Sequence, residues 1–462
     1  MTKKQSTLSR RSFLSNAAVI GASSALGAGT LFTSCSGGGN NEKKLIPLRP
    51  VGEYYVPDLP DKAIDGKPLK AALIGCGSRG TGAAFNFLEA ADGVTVVACA
   101  DVLKDKIDNC RRRLKEQKNV EIADDKCFLG FDAYKKACEL PEVDLVLIAS
   151  PSAFHPEQLK YAIEQGKHAF CEKAACVDAS GYRTFMTAVK QAKTQGLCIV
   201  PGTHCHYHRG YVESYRMIQE GFIGRIVSAN VYFNQGHLTP VRRRPEWTDM
   251  EFMLRDIFHW KWLTGDHVLD QGIHRVDAFT WFSHLKPVKA IGMGARLRRI
   301  GGDIYDTYSV DIEYEKGVHL HAMMRQIDNC DHYVADVIHG TKGSWKCMNE
   351  GREITFHDIE GNEVWRYDKD AAGQFEQHNP YVLEHVDLIN HIRSGKVINN
   401  AETTAIASLT CIMARESAYT GKTYTWDEMT QSDMNFMPAE LTLGNVDMSQ
   451  FTVPLPGTSP KI

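Results

Sequence analysis

No C-x-x-C pair occurs among the 13 cysteines of this 462-residue chain, so neither a zinc knuckle nor a dithiol redox motif is encoded. The cysteines follow no regular spacing, which removes a disulfide framework, and Cys76, Cys99, Cys138, Cys171 and Cys176 lie in apolar contexts that suit buried free thiols. Excess charge is scarce as well. The formal net charge is −3 and a basic cluster such as Arg242 to Arg244 is short, which argues against nucleic acid as a partner. No apolar run is long enough to cross a bilayer, since Ala17 to Phe32 holds roughly sixteen residues where a spanning helix needs about 20. There is no internal repeat.

What stands at the N-terminus is an export signal. Ser9-Arg10-Arg11-Ser12-Phe13-Leu14 supplies a charged region with a twin arginine, and the short apolar stretch after it ends in small residues, the pattern of the Tat route. Thr33-Ser34-Cys35 matches a lipoprotein box, which would leave Cys35 as a lipid anchor and place the protein in the periplasm or on a membrane facing it. Residues 36–66, with Ser-Gly-Gly-Gly-Asn-Asn and several prolines, read as a flexible tether.

The most informative stretch follows. Ala71-Ala-Leu-Ile-Gly-Cys-Gly-Ser-Arg-Gly80 breaks from an apolar run into G-x-G-x-x-G at Gly75, Gly77 and Gly80. Leu69 to Ile74 is a buried strand, Thr81 to Ala91 a helix, and Val94 to Ala100 a second apolar strand ending in Asp101, 21 residues past Gly80. Together they form a β-α-β unit whose turn can approach a pyrophosphate and whose acid can accept from a ribose hydroxyl. A carboxylate at Asp101 favours NAD over NADP, because it repels a 2′-phosphate.

About 395 residues follow the tether, enough for two domains. Strands at Val143 to Ala149, Lys167 to Cys171 and Leu197 to Val200 alternate with helices at His155 to Gln165 and Ala179 to Gln195, so residues 67–203 form a doubly wound parallel α/β sheet. Residues 204–430 change rhythm. Val227 to Phe233, Lys289 to Leu297, Ser309 to Tyr314, Val318 to Met324 and Asp336 to Gly340 read as strands of a large, open, mainly antiparallel sheet in an α+β domain. Helices at Tyr211 to Gln219, Gln271 to Trp281, Val382 to Ser394 and Thr403 to Thr420 would cover one face, and residues 431–462 form a C-terminal extension.

Two segments carry chemistry. Glu172-Lys173 lies at the carboxyl end of a parallel strand, where open α/β sheets bind ligands; the lysine can stabilise an alkoxide as hydride leaves, and Glu172 can anchor its surroundings. Asp270 and His274 fall four apart on a helix toward Trp281 and so share a face. A histidine poised near neutral pH suits proton abstraction from a hydroxyl, with Asp270 orienting it and Asp277 supporting it from the next turn.

These residues resemble the Gfo/Idh/MocA oxidoreductases over residues 68 to 430. The cofactor loop matches at Gly75-x-Gly77-x-x-Gly80, Pro151-Ser-Ala-Phe-His155 resembles the family's T-P-N-x-x-H, Glu172-Lys173 its E-K-P, and Asp270-x-x-x-His274 its D-x-x-x-H. The resemblance implies Lys173, Asp270 and His274 as the catalytic set. It also implies NAD held by Gly75, Gly77, Ser78, Arg79, Gly80, Asp101, Ser150, Pro151, His155, Glu172 and Lys173, with His155 bordering the nicotinamide. The family proline is Ala174 here, which relaxes the backbone beside Lys173. The stretch Ser417 to Met429 resembles an extension of exported Bacteroidetes members.

A polyhydroxylated substrate follows, and His206, Arg209, Tyr211, Trp260, Trp262, Asp266 and Arg325 are the candidates for holding it, the tryptophans by stacking on a sugar ring. The expected activity is NAD-dependent oxidation of a ring hydroxyl, such as C3 of a glucoside. An alternative within the superfamily is glycoside hydrolysis by transient oxidation and elimination; a second is a sugar-binding envelope lipoprotein without catalysis. Hydride chemistry needs no metal, so His204, Cys205, His206 and His208 are expected to be pocket or surface groups. Export leaves the cofactor without a free pool, so NAD would be loaded before export, held tightly and recycled by a second substrate or a redox partner. By resemblance the protein would be a dimer or tetramer.

Overall fold

In a computed structural model the described residues are 45–50, 52–369 and 375–458; the export signal and Cys35 lie outside them. Six strands, β1 (Leu69–Ile74), β2 (Val94–Asp101), β3 (Cys127–Leu129), β4 (Leu145–Ile148), β5 (His168–Cys171) and β6 (Ile199–Pro201), form a parallel sheet in the order β3-β2-β1-β4-β5-β6. The order reverses between β1 and β4, and this switch point opens a crevice at the strands' carboxyl ends. β4 is buried along its whole length and β1 at all but Lys70, which is why they read as near-continuous apolar runs.

Nine more strands make the second sheet: β7 (Ile226–Gln235), β8 (Pro287–Ala295), β9 (Thr307–Tyr314), β10 (Val318–Gln326), β11 (Tyr333–Gly340), β12 (Gly343–Met348), β13 (Glu353–Asp358), β14 (Glu363–Arg366) and β15 (Tyr424–Thr425). Their order is β14-β13-β12-β11-β7-β10-β9-β8-β15, antiparallel throughout except where β7 runs parallel to β10. Strict alternation of buried residues along β9 marks a sheet with one covered face. β12 to β15 were not among the strands expected from sequence, because they are short and, in β13 and β14, half charged.

The helix Ala401–Thr420 does more than cover that sheet. It is buried on nearly every side, its polar groups included, and it ties the two domains together. Its Ser408 Oγ accepts from Ala175 N at 3.0 Å, and its buried Arg415 donates to Val177 O and Gly265 O at 3.0 Å each. The loop after β5 is thereby fixed against the segment that leads to Asp270.

The tether expectation needs correcting for the described part of residues 36–66. Leu48 N donates to Gln219 O at 2.8 Å, Tyr55 Oη to Asp387 Oδ1 at 2.6 Å, and Ala63 N to Ala90 O at 2.8 Å. The prolines there punctuate a segment whose Tyr54, Tyr55 and Leu59 have apolar surface to bury, so it docks along both domains.

Candidate active site

The turn after β1 is built for close approach. A Cβ at Gly75 would sit 2.6 Å from the Ala149 and Ser150 backbone, and one at Gly80 would fall 1.8 Å from Gly75 O, whereas a Cβ at Gly77 would meet nothing within 4 Å. Two glycines therefore close the turn against β4, and the third leaves room above it for a ligand. The cleft over this turn encloses about 300 Å³ and is lined by Gly75, Gly77, Ser78, Arg79, Asp101, Ser150 and Pro151, among others. Asp101 takes Cys76 N at 2.6 Å and Leu103 N at 2.8 Å, which aims its carboxylate from the end of β2; burial raises its pKa against those backbone donors. These residues fit a dinucleotide: a bare turn at a helix N-terminus for phosphates and an acid for a ribose.

Arg79 crosses from that helix to the chemistry. Its Nε donates to Glu172, its Nη2 lies 3.3 Å from Glu384 Oε1, and its guanidinium lies 4.7 Å from the Tyr381 ring centre. His155 is not at the cleft wall. It is fully buried with Nδ1 2.7 Å from Ala174 O and Nε2 2.7 Å from Ser150 O, and so braces the loops after β4 and β5 from beneath. Ala174 itself is held on both sides, since its N–H donates to Ser152 Oγ at 3.1 Å, and the Lys173–Ala174 peptide is cis. The missing proline has not left this turn loose.

Lys173 Nζ donates to Asp270 O and approaches Asp270 Oδ1 at 3.2 Å. Asp270 and His274 do not share one continuous helix. A short helix ends at Asp270 and the next runs Ile273–Ser283, with the break at Gln271-Gly272, where a Cβ on Gly272 would come 2.3 Å from Met324 Sδ. His274 is not poised near neutrality either. Burial, then the charges of His204 and Lys173, hold its pKa well below the usual histidine value, so it stands as a free base at pH 7. Asp277 does not support it; its Oδ2 lies 2.6 Å from His206 Nε2 instead.

His204 stands against His274, ring centres 4.6 Å apart, and against Tyr381 at 4.8 Å. Sequence reasoning left His204 as a pocket or surface group, and it missed Tyr381 and Glu384 altogether. Both come from the helix Pro380–Ser394, nearly 180 residues downstream of His204, whose mixed polar and apolar sequence does not mark Glu384 and His385 as buried. The neighbouring His206 and His208 turn elsewhere, His206 stacking on Trp281 at 4.2 Å and His208 edging Tyr211 at 5.6 Å.

Most of the expected sugar-holding residues are structural in placement. Trp260 packs on Phe252 and Phe451, Trp262 on Phe154, and both are buried. Asp266 accepts from Tyr305 N and is bonded by Tyr308 and Tyr419; Tyr211 donates to Asp336 Oδ2 beside buried Arg275. Arg209 binds the docked N-terminal segment at Leu59 O, and Arg325 binds Asp331 O. Large aromatic and polar residues were read as pocket walls, but here burial of their area outweighs display. The five cysteines expected as buried thiols are buried and free.

A parallel sheet with a glycine turn at its switch point, joined to a second domain whose helices carry an acid and a histidine beside an open, mainly antiparallel sheet, defines a two-domain nucleotide-dependent oxidoreductase. Family models confirm it: residues 69–201 match the oxidoreductase family, NAD-binding Rossmann fold, and residues 211–346 match the GFO/IDH/MocA C-terminal domain. The chain belongs to the GFO/IDH/MocA family. Among curated relatives it is 28% identical over 183 residues to glycosyl hydrolase family 109 protein 1 of Bacteroides fragilis, covering 39% of this chain and 38% of that one. It is 28% identical to 2,7-anhydro-N-acetylneuraminate hydratase of Escherichia coli, covering 44% and 51%. The alignments thus span at most about half the length of these relatives. Among solved structures, aldose-aldose oxidoreductase from Caulobacter crescentus superimposes with a TM-score of 0.62 at 16% identity, covering 78% of this chain and 100% of that one. Scyllo-inositol dehydrogenase from Lactobacillus casei gives 0.59 at 19% identity, covering 78% and 99%.

Proposed function

We propose that this protein oxidises a ring hydroxyl of a sugar or glycoside, C3 of a glucoside being the first candidate, with tightly held NAD as hydride acceptor. The observation that carries the reading is the meeting of Lys173 with Asp270, with His274 within range of the Lys173 charge, and the link that Arg79 makes from the wall of the dinucleotide cleft to Glu172, the neighbour of Lys173. Lys173 Nζ, held by Asp270, donates to the substrate oxygen and stabilises the negative charge that builds there. The His274 imidazole takes the hydroxyl proton as the C–H hydride departs and the C–O bond becomes a carbonyl. NAD supplies only the hydride acceptor. Export and a lipid anchor at Cys35 belong to this reading, supported by Arg10-Arg11 and Thr33-Ser34-Cys35. So does recycling of the cofactor in place by a second sugar or a redox partner. Pairing of two copies through the uncovered sheet face is supported by exposed Ile291, Met293, Met323 and Tyr333.

A second reading, oxidation followed by elimination of the aglycone and return of the hydride, is favoured by the family 109 names among the relatives and by His204 standing against His274 as a second base. One experiment separates them. The protein is purified without added cofactor, its reduced-nicotinamide absorbance is recorded, and glucose, methyl glucosides and aryl glycosides are added in turn. A rising band, lost in Lys173→Ala and His274→Ala, supports the dehydrogenase; aglycone release without net reduction supports elimination; silence in both channels overturns both.

A further inference from the structure

Between β7 and the helix Ile273–Ser283 the chain leaves its own sheet and crosses to the cofactor cleft. Leu254, Arg255, Ile257 and Phe258 line the same cleft as Asp101, although they belong to the second domain. Arg255 makes the decisive contact. Its Nη2 and Nη1 donate to the two carboxylate oxygens of Asp105 at 2.8 and 3.0 Å, while Glu251 Oε1 accepts from Nε and Nη2 at 3.0 and 2.9 Å. The Trp247 ring lies 4.8 Å from the guanidinium. Asp105 stands in the first turn of the helix that follows Asp101, so this two-pronged pair joins the domains at the ribose-acid side of the cleft.

The crossing segment is held from behind by the C-terminal extension. Met250 N donates to Gly444 O and Val446 N to Asp249 Oδ2, each at 3.1 Å, and the Phe451 ring meets Trp260 edge-on at 5.7 Å. Nothing in the proposed chemistry uses these contacts.

We propose that Arg255 is a cofactor-retaining residue: paired with Asp105 it fastens the crossing segment over the adenosine side of the cleft, and residues 444–451 keep that segment seated. NAD then leaves only when the Arg255–Asp105 pair opens. The proposal rests on the reading of this cleft as an NAD site, and it supplies what an enzyme cut off from a cofactor pool requires. The pair is half open to solvent on the Asp105 side, so its effect is several-fold, not absolute.

The test is the release rate of NADH, followed by fluorescence after a chase with excess NAD, in the full protein and in Arg255→Met, Asp105→Asn and the swap Asp105→Arg/Arg255→Asp. Release about 3- to 10-fold faster in both single variants, slowed again in the swap, is the expected result. High salt should speed release from the wild type more than from Arg255→Met. Unchanged rates in both single variants, or a swap as fast as they are, overturn the proposal and leave the NAD reading intact. A wild-type protein that binds no NADH overturns both.

Discussion

Lys173 and Asp270 lie 97 residues apart in the chain, one after a strand of the parallel sheet and one at a helix end of the second domain, yet Nζ and Oδ1 meet at 3.2 Å. Neither motif is complete alone. The helix Ala401–Thr420 sets their distance, because Ser408 and Arg415 hold the backbone leading away from Lys173 and toward Asp270. Lys173→Ala should lower kcat/KM for sugar oxidation by about 100- to 10,000-fold while NAD still binds, as measured by steady-state kinetics and NADH fluorescence. Asp270→Asn should cost less, since the Asp270 carbonyl still receives Nζ.

The pH profile should carry no limb at the ordinary histidine value. His274 is held well below that value by burial, and its unprotonated form is the active base, so lowering the pH from 8 to 6 leaves it ready. A kcat/KM that falls with a midpoint near 6.5 would assign the proton to another group.

Acid should weaken the fold before it silences the base. Burial pushes His208 and His284 down to about 4 and His267 to about 3, so these rings stay neutral when folded but take protons when unfolded below about 6.5. The unfolded state then binds more protons, and stability is lost as pH falls from about 6.5 toward 4. Melting temperatures recorded from pH 8 to pH 4.5 should hold steady and then decline.

Two glycines of one motif should fail differently. Gly80→Ala drives a Cβ into Gly75 O and should prevent the first domain from folding, seen as loss of soluble protein. Gly77→Ala meets open space, so the protein should fold with an unchanged melting temperature and bind NADH at least about 10-fold more weakly, because the added methyl stands where phosphates must come close.

Trp262 separates core from pocket. It is buried edge-on to Phe154, so Trp262→Ala should cost about 3–5 kcal/mol in denaturant unfolding, with KM for any sugar that is turned over little changed. A large rise in KM without loss of stability would return it to the substrate site.

How much was legible follows from how each feature is encoded. β1 and β2 could be read almost to the residue because a strand buried on both faces must be an unbroken apolar run, and the helix Ala179–Gln195 because Asp178 caps it and Gly196 ends it. β13 and β14 escaped because these half-buried strands carry as many charged as apolar residues. The break at Gln271-Gly272 also escaped, since four-residue spacing looks the same across a break as along one helix.

The sequence by itself determined the nucleotide turn and the order of the two domains, because these depend on local backbone geometry and on residue chemistry, and it offered Lys173, Asp270 and His274 as candidates through resemblance to a family. Only the tertiary structure decided that His204 and Tyr381 stand at the site, that Trp260, Trp262 and Asp266 are core, and that Arg255 reaches Asp105. Those facts arise from contacts between residues up to 200 positions apart, and no local pattern records which distant side chains compete for the same buried space.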